Sequence, residues 1–383
     1  MKKKKIITAT VITAVLLVAA LYAATNIPLP SQNATLTEFL DSRHDPQVEA
    51  LLDDMTIEEK AGQLFMGCFY TTVPSPETVK KYNLGMALFF GKSFTGATPN
   101  SILTGIKAIQ ASSKIELMFA VDEEGGPVNR VSLYPAFRSS EFRAPRDIYT
   151  QGGMEAIVSD IHEKNALLSS IGINLNLAPV CDISTVSSDF MYSRSLGQNA
   201  AVTSQYAAES VMAYRDDNMG CSLKHFPGYG NVADTHNGFA VDNRSLEQLH
   251  EVDMKPFEAG IRAGAPSVLV SHNIVSAIDG NLPASLSPRI HRILREDMDF
   301  KGVIITDDLS MGAIADYFPK SGGAVEAIMA GNDVLCTGEY KKQYPAVLAA
   351  VADGTISEDR IDQSVRRVLR WKIELGLIDA SSN

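Results

Sequence analysis

The sequence predicts an α/β fold, a (β/α)8 TIM-type barrel in which eight parallel strands alternate with helices. Three observations predict it: short apolar runs alternate with longer amphipathic stretches, the runs number eight, and charged side chains directly follow several of them. Alternating strands and helices are typical of a parallel sheet, and such barrels carry their chemistry at the carboxyl ends of the strands. An open doubly wound sheet also alternates, but no Gly-x-Gly-x-x-Gly turn opens a helix in this chain.

The chain begins with a segment that predicts export. Lysines at positions 2–5 precede a nearly unbroken apolar run over residues 6–24, and a polar stretch with prolines follows up to residue 33. This order is typical of a signal peptide, while the run is also long enough for a marginal membrane anchor. Because positive residues stay in the cytoplasm, the rest of the chain is expected on the outer side of the membrane. We therefore expect residues 34–383 to form a single barrel domain that is either secreted or held at the outer face of the cytoplasmic membrane by residues 1–33.

The elements of the barrel follow in order. The apolar runs predict strands at 63–69, 85–90, 117–122, 173–179, 220–225, 267–272, 302–307 and 333–337. Helical patterns between them cover 99–111, 153–170, 200–217 and 246–263, and a last helix at 357–375 closes the chain. Insertions after the third and fifth strands are expected to build the walls of a pocket.

Charge and cysteine content exclude some classes of function. A formal net charge of −11 disfavours nucleic acid and anionic membrane surfaces as main partners, since both favour basic patches. Membrane contact is therefore expected only through residues 1–33, and no oligomeric state is predicted. The cysteines lie in or beside apolar, strand-like segments, so we expect buried free thiols rather than disulfides at Cys68, Cys181, Cys221 and Cys336.

The segment after the fifth predicted strand has the composition of an active-site loop. Residues 224–238 include Lys224, His225, Asp234 and His236 among four glycines and prolines, a density that excludes a regular helix. Asp234 and His236 can form a carboxylate–imidazole pair, in which one group orients the other for proton transfer.

Acidic side chains also follow the third and seventh predicted strands. Asp307 and Asp308 end an apolar run, and Asp308 has the position of a helix N-cap, which leaves Asp307 as the reactive candidate. Asp122 either holds ligand hydroxyls or pairs with Arg130 and braces its loop. Arg194 adds a loop cation with several donors.

A metal site is disfavoured, although histidines and aspartates are present. The chain has no His-Glu-x-x-His helix and no paired cysteine motif, and Lys224 would add a positive charge beside a cation. We expect neither a metal nor an organic cofactor.

Together these motifs resemble glycoside hydrolase family 3, in its β-N-acetylglucosaminidase (β-N-acetylhexosaminidase) branch. The likeness runs from about residue 55 to residue 377 and rests on ordered segments at 121–126, 177–180, 194–195, 224–236, 305–311 and 364–369. Three positions depart from residues usual in that family: Tyr229 replaces a histidine, Pro127 an arginine and Leu196 a phenylalanine.

The resemblance implies a retaining exo-β-N-acetylglucosaminidase that acts on terminal β-linked N-acetylglucosamine, with peptidoglycan fragments as the expected source. It implies that Asp307 is the nucleophile, that His236 is the general acid/base, and that Asp234 orients His236. The residues that would hold the terminal sugar are Asp122, Arg130, Arg194, Lys224, His225 and His272. Two alternatives stay open: a β-glucosidase or β-xylosidase of the same family, and a non-catalytic protein that binds cell-wall glycan.

Overall fold

The computed structural model of the chain describes residues 45–230, 232, 240–311, 314, 318 and 321–378. Residues 47–383 form one compact unit, and residues 1–46 form another, of which only residues 45 and 46 are described. The predicted export segment therefore lies outside the described residues. Within the described part of the chain, no helix has the length and apolar character that crossing a membrane requires.

Short parallel strands form the centre of the unit and coincide with the eight predicted apolar runs. Nine of the eleven strands lie in these eight runs, because the fifth run contains two strands; the other two, β7 and β9, make a separate parallel pair. The strands are β1 (Phe65–Phe69), β2 (Met86–Phe89), β3 (Met118–Val121), β4 (Leu175–Asn176), β5 (Gly220–Cys221), β6 (Leu223–Phe226), β7 (Val241–Asp242), β8 (Ser267–Val270), β9 (Ile274–Val275), β10 (Val303–Thr306) and β11 (Leu335–Thr337).

The strands close into a barrel, which confirms the predicted fold class. One sheet has the order β11-β1-β2-β3-β4-β5 and a second has the order β10-β8-β6. Single parallel bridges, Val180 with Lys224 and Ile305 with Val334, join the two sheets at both edges. The fifth predicted strand is split at Ser222, so that β5 pairs with β4 while β6 pairs with β8.

Both faces of the strands are buried, as is usual for parallel sheets. Along β10, Val303 and Ile305 belong to a cluster inside the barrel, whereas Ile304 packs into the larger core around it. In the interior, Met66, Met86 and Met118 lie in register on three neighbouring strands. Each fully buried large apolar side chain stabilises the fold by about 1.5–3 kcal/mol, and this packing makes the barrel a rigid base for the loops above it.

Helices surround the barrel, and most begin where the sequence predicts. The helix predicted from 153 begins earlier and is interrupted at Gly153, where φ is 63°. The helix predicted at 246–263 is broken into segments, because Pro256 cannot donate a backbone hydrogen bond to the preceding turn. The α-helices are Asp45–Asp53, Ile57–Gln63, Pro76–Tyr82, Pro99–Gln110, Pro145–Ser170, Ala200–Asp216, Leu246–Gln248, Lys255–Arg262, Pro288–Arg292, Ala324–Ala330, Tyr340–Ala352 and Glu358–Glu374, with 3-10 turns at Gly91–Phe94 and Ala284–Leu286 and π turns at Leu249–Asp253 and Ile293–Asp297.

A buried carboxylate fastens the closing helix to the amino ends of the strands. Asp333, which precedes β11, is fully buried and pairs with Arg295 at 2.5 Å and with Arg367 at 2.9 Å. Burial alone would raise the pKa of Asp333, but Arg295, Arg367 and Arg360 outweigh it and hold that pKa below its usual value.

The four cysteines are free and buried, as expected.

Candidate active site

The carboxyl ends of the strands surround a cavity of about 320 Å³, which brings most of the predicted residues together. Its charged lining consists of Asp122, Arg130, Arg194, Lys224, His225, Asp307 and Asp308, and its other lining residues are Tyr70, Leu88, Phe90, Val128, Leu177, Tyr229, Leu269, Met311 and Cys336. Asp234 and His236 lie outside the described residues. A cavity lined by both charged and apolar side chains suits a small polar ligand that also has an apolar surface.

A buried ion-pair network connects several of the charged lining residues. The Lys224 side chain is 2% exposed, and its Nζ lies 2.6 Å from Asp122 Oδ1 and 2.5 Å from Glu124 Oε1. Arg194 donates to both oxygens of Glu124, from Nε at 2.9 Å and from Nη2 at 2.7 Å. Because buried charges are stable only when they are paired, Glu124 is the anion that keeps both cations in place.

Glu124 stays ionised in this network. Burial would raise its pKa, but Arg194 and Lys224 outweigh that effect and hold the pKa of the carboxyl well below its usual range. Glu124 is therefore a fixed anion rather than a proton donor. No pattern in the sequence predicted a role for Glu124, which stands two residues after Asp122.

Glu123 braces the loop after β3, in addition to the ion pair between Asp122 and Arg130 that one interpretation of the sequence predicted. Glu123 is fully buried and accepts hydrogen bonds from the backbone N–H groups of Arg130 at 2.8 Å, Val131 at 2.7 Å and Ser132 at 3.1 Å. These bonds fix the backbone from which the Arg130 side chain enters the cavity. The Arg130 guanidinium then lies 3.9 Å from Asp122 Oδ2.

The turn that starts this loop depends on Gly125, whose φ is 96°. A Cβ atom there would lie 2.3 Å from the carbonyl oxygen of Arg143, so a larger residue is excluded. Gly125 and Val128 form an antiparallel bridge, which places Pro127 at the tip of a tight turn.

Asp182 orients His225 and the turn that follows it. Asp182 Oδ2 lies 2.7 Å from His225 Nδ1, and Asp182 Oδ1 accepts a hydrogen bond from Tyr229 N at 2.7 Å. Arg194 Nη2 lies 3.3 Å from His225 Nε2. Since a guanidinium can only donate, this network assigns the proton to Nδ1 and leaves Nε2 an acceptor. The peptide bond between Lys224 and His225 is cis.

Tyr229, the first departure from the family pattern, packs its ring edge against His225 with centroids 5.4 Å apart. It is 2% exposed and also contacts the ring of Phe190, at 5.8 Å. Leu196, another departure, is 1% exposed and belongs to the core.

His272 lies behind the cavity and does not line it. It is fully buried, with Nδ1 2.7 Å from the hydroxyl of Ser285 and Nε2 3.1 Å from the carbonyl oxygen of Asp308. A carbonyl can only accept, so Nε2 carries the proton. In this structure His272 contacts the turn that carries Asp307, and a direct contact with a ligand stays a prediction.

Backbone hydrogen bonds fix Asp307 at the end of β10. Its N–H donates to the carbonyl of Val270 at 2.9 Å, and its Oδ1 accepts the N–H of Asp308 at 2.9 Å. Asp308 Oδ1 accepts from Ser310 N at 2.8 Å, a bond of the N-cap kind, while Asp308 Oδ2 accepts from the Tyr70 hydroxyl at 2.5 Å. Asp307 and Asp308 both line the cavity, and both oxygens of Asp308 accept hydrogen bonds from Tyr70 and Ser310.

An aromatic pair, Tyr70 and Phe90, also lines the cavity. The rings of Tyr70 and Phe90 are 4.6 Å apart, and the Arg130 guanidinium lies 5.6 Å from the centre of Phe90. Burial, with Cys68 and Asp308 nearby, raises the pKa of Tyr70 above its usual value, so its hydroxyl remains a donor. Among the described residues, no group of three or more His, Cys, Asp or Glu side chains is arranged to hold a metal ion.

Comparison with known proteins gives a consistent result. The family model described as "Glycosyl hydrolase family 3 N terminal domain" matches residues 56–371. A β-hexosaminidase of Methylococcus capsulatus is 30% identical over 78% of this chain and 88% of its own length. β-Hexosaminidase A of Pseudoalteromonas piscicida is 27% identical over 81% of this chain. A β-N-acetylglucosaminidase/β-glucosidase of Cellulomonas fimi is 26% identical over 86% of this chain.

The chain spans 57% of the length of the Pseudoalteromonas relative and 60% of that of the Cellulomonas relative. Among solved structures, a β-N-acetylglucosaminidase from Paenibacillus sp. FPU-7 is similar with a TM-score of 0.78 and 28% identity, over 86% of this chain and 65% of that one. A β-N-acetylhexosaminidase from Beutenbergia cavernae has a TM-score of 0.75 and 26% identity, over 82% of this chain and 98% of that one.

Proposed function

Because the chain belongs to glycoside hydrolase family 3, we propose that it is a retaining exo-β-N-acetylglucosaminidase, which removes terminal β-linked N-acetylglucosamine. The observation that carries this proposal is the cavity itself: a paired network of Asp122, Arg194, Lys224 and His225 shares it with the oriented carboxylate of Asp307. The names of the relatives from Methylococcus and Paenibacillus support the N-acetylated sugar.

In the proposed complex, charged residues of the cavity lining hold the hydroxyls of the terminal sugar. Asp122 accepts from two neighbouring hydroxyls, since a carboxylate has two acceptor oxygens. Lys224 and Arg194 donate from positions that Glu124 fixes, so little side-chain entropy is lost when the sugar binds. The aromatic pair Tyr70 and Phe90 offers an apolar surface to the less polar parts of the sugar.

Asp307 is the proposed nucleophile. One of its oxygens attacks C1 of the sugar, and the bond from C1 to the leaving oxygen breaks while His236 donates a proton to that oxygen. In the second step His236 takes a proton from water, the water oxygen bonds to C1, and the bond between C1 and Asp307 breaks. Asp234 favours the imidazolium needed first and orients the ring.

The proposed natural substrates are N-acetylglucosamine ends of peptidoglycan fragments. This part of the proposal joins the family to the predicted export segment at residues 1–33, which would carry the domain to the outer side of the cytoplasmic membrane. Activity on isolated wall disaccharide, and none on glucose-linked analogues, is the expected result.

A second candidate, a β-glucosidase, is favoured by one observation: the Cellulomonas fimi relative carries both activities in its name. Hydrolysis of 4-nitrophenyl N-acetyl-β-glucosaminide and of 4-nitrophenyl β-glucoside, measured side by side, separates the two. We expect a kcat/KM at least tenfold higher for the N-acetylated substrate; a reversed ratio overturns the proposed sugar.

The same assay tests whether the protein is a catalyst. Asp307→Asn is expected to abolish turnover with the fold intact. The matched control is Asp299→Asn, because the Asp299 side chain is 78% exposed and should tolerate the change. If the unmodified protein binds the sugar but turns over neither substrate, the alternative of a wall-binding protein is favoured instead.

A further inference from the structure

The segment that carries Asp234 and His236 is anchored at both ends by residues that the structure describes. At its start, the turn after β6 passes through Gly228, Tyr229 and Gly230. At its end, the chain continues into β7, where Ile274 N donates to Ala240 O at 2.8 Å and Ser276 N donates to Asp242 O at 2.9 Å. The positions of both ends are therefore set by described contacts.

One side chain, Arg244, contacts both ends. Its Nη2 donates to the carbonyl oxygen of Gly228 at 3.0 Å and to Asp242 Oδ2 at 2.6 Å. Its Nε lies 3.0 Å from Asp242 Oδ1, and its Nη1 lies 2.5 Å from Asp253 Oδ1 in the neighbouring π turn. The three nitrogens of the guanidinium thus bind the turn before the segment, the strand after it and the neighbouring π turn.

The turn is shaped to fit the guanidinium. Gly230 has a φ of 55°, and a Cβ atom there would lie 2.2 Å from Arg244 Cζ. At Gly228, with a φ of 112°, a Cβ atom would lie 2.8 Å from Asp253 Cβ. Only glycines let the backbone approach this closely, so the turn and Arg244 fit as one unit.

Burial makes this arrangement specific for arginine. Arg244 is 20% exposed, whereas its partners Asp242 and Asp253 are 0% and 4% exposed. A lysine keeps the charge but lacks the planar fork, and cannot reach two carboxylates and a carbonyl at once.

We propose that Arg244 is a positioning residue for proton transfer: it fixes Gly228 and Asp242, which lie on either side of the segment that carries His236, the proposed acid/base. Arg244 does not line the cavity, so it acts through His236 rather than on the substrate. The inference rests on the proposed function, in which His236 is the acid/base.

The test compares leaving groups. Proton donation matters for a poor leaving group, such as the second sugar of N,N′-diacetylchitobiose, and much less for 2,4-dinitrophenolate. We expect Arg244→Lys to lower kcat/KM for diacetylchitobiose by roughly 100-fold, the effect of a small misplacement of a catalytic group. For 2,4-dinitrophenyl N-acetyl-β-glucosaminide we expect a loss of less than about threefold by the same reasoning.

The matched control is Arg295→Lys. Arg295 is 21% exposed and pairs at 2.5 Å with the fully buried Asp333, so its environment resembles that of Arg244 at the other end of the barrel. Arg295→Lys should lower kcat/KM for both substrates by one common factor. Asp253→Asn, which keeps the bond from Arg244 to Asp242, is a second variant that serves if Arg244→Lys fails to fold. It should also lower kcat/KM more for diacetylchitobiose than for the dinitrophenyl substrate, but by a smaller ratio than Arg244→Lys.

Two outcomes are kept distinct by measuring His236→Ala in parallel. In one outcome, His236→Ala lowers kcat/KM far more for diacetylchitobiose than for the dinitrophenyl substrate, while Arg244→Lys and Asp253→Asn lower it equally for both. The role of Arg244 is then overturned and the proposed function stands. If His236→Ala lowers kcat/KM equally for both substrates, the assignment of the acid/base is overturned, and with it the basis of this inference.

Discussion

Replacing Glu124 by glutamine tests the network that holds the sugar-binding cations. The change keeps the size of the side chain and removes the charge, so Arg194 loses a carboxylate that accepts at 2.9 and 2.7 Å, and Lys224 loses one at 2.5 Å. Breaking a buried ion pair by removing one partner costs about 3–5 kcal/mol. We expect the free energy of unfolding of Glu124→Gln to fall by about that amount.

The control for this prediction is the same change at the surface. Glu163 also pairs with an arginine, Arg138, at 3.0 Å, but its side chain is 58% exposed. Exposed ion pairs contribute about 0–1 kcal/mol, so Glu163→Gln should be nearly neutral. Urea denaturation at pH 7 measures both variants.

Activity and pH give the second part of the test. With Arg194 and Lys224 displaced, kcat/KM for 4-nitrophenyl N-acetyl-β-glucosaminide should fall by roughly 100-fold, which corresponds to about 3 kcal/mol. The depressed pKa of Glu124 means that its contribution is complete above the ordinary value of 4.5 and is lost as the pH falls below it. The difference in stability between the parent and Glu124→Gln should therefore shrink on acidification. Equal losses for Glu124→Gln and Glu163→Gln would refute the reasoning.

Three further predictions follow from the same structure. Asp182→Asn should lower kcat/KM through the loss of the 2.7 Å contact with His225, and should lower the free energy of unfolding more than Glu163→Gln does, because the Asp182 carboxylate is buried and also accepts from Tyr229 N. Unchanged kinetics would contradict the role of Asp182. His236→Ala should slow diacetylchitobiose far more than an activated aryl substrate, as steady-state rates on the two will show. Lys372 is fully buried, and burial lowers its pKa from 10.5 to about 7. Between pH 7 and pH 10.5 the unfolded protein therefore binds more protons than the folded protein, so the free energy of unfolding rises with pH in this range. Lys372→Met should then be more stable than the parent by on the order of 3 kcal/mol at pH 6, and this gain should shrink towards pH 10 in urea titrations.

Much of the barrel could be predicted because its strands are buried on both faces. Continuous apolar runs such as Val303–Thr306 stand out in the sequence, and the charged residues at the ends of several runs mark the mouth of the barrel. Asp122 and Asp307 were identified in this way, and the structure places both at one cavity.

The rest depends on contacts between distant parts of the chain. Three acids follow β3, and only the folded structure shows that Glu123 holds backbone N–H groups while Glu124 pairs with Arg194, 70 positions away. His272 also ends an apolar run, and only the folded structure shows that its ring is buried against Ser285. Arg244 gives no signal in sequence, since its partners Gly228 and Asp253 lie on either side of it in separate elements.

The central claim is that Asp307 forms a covalent bond with an N-acetylated sugar. A 5-fluoro N-acetylglucosaminyl fluoride should trap this intermediate, because the fluorine at C5 slows its hydrolysis, and peptide mass spectrometry then locates the label. The account predicts one added sugar on the peptide that contains Asp307, and none in Asp307→Asn. A label on another acid, or an enzyme that turns over the N-acetylated substrate without ever being labelled, would contradict it.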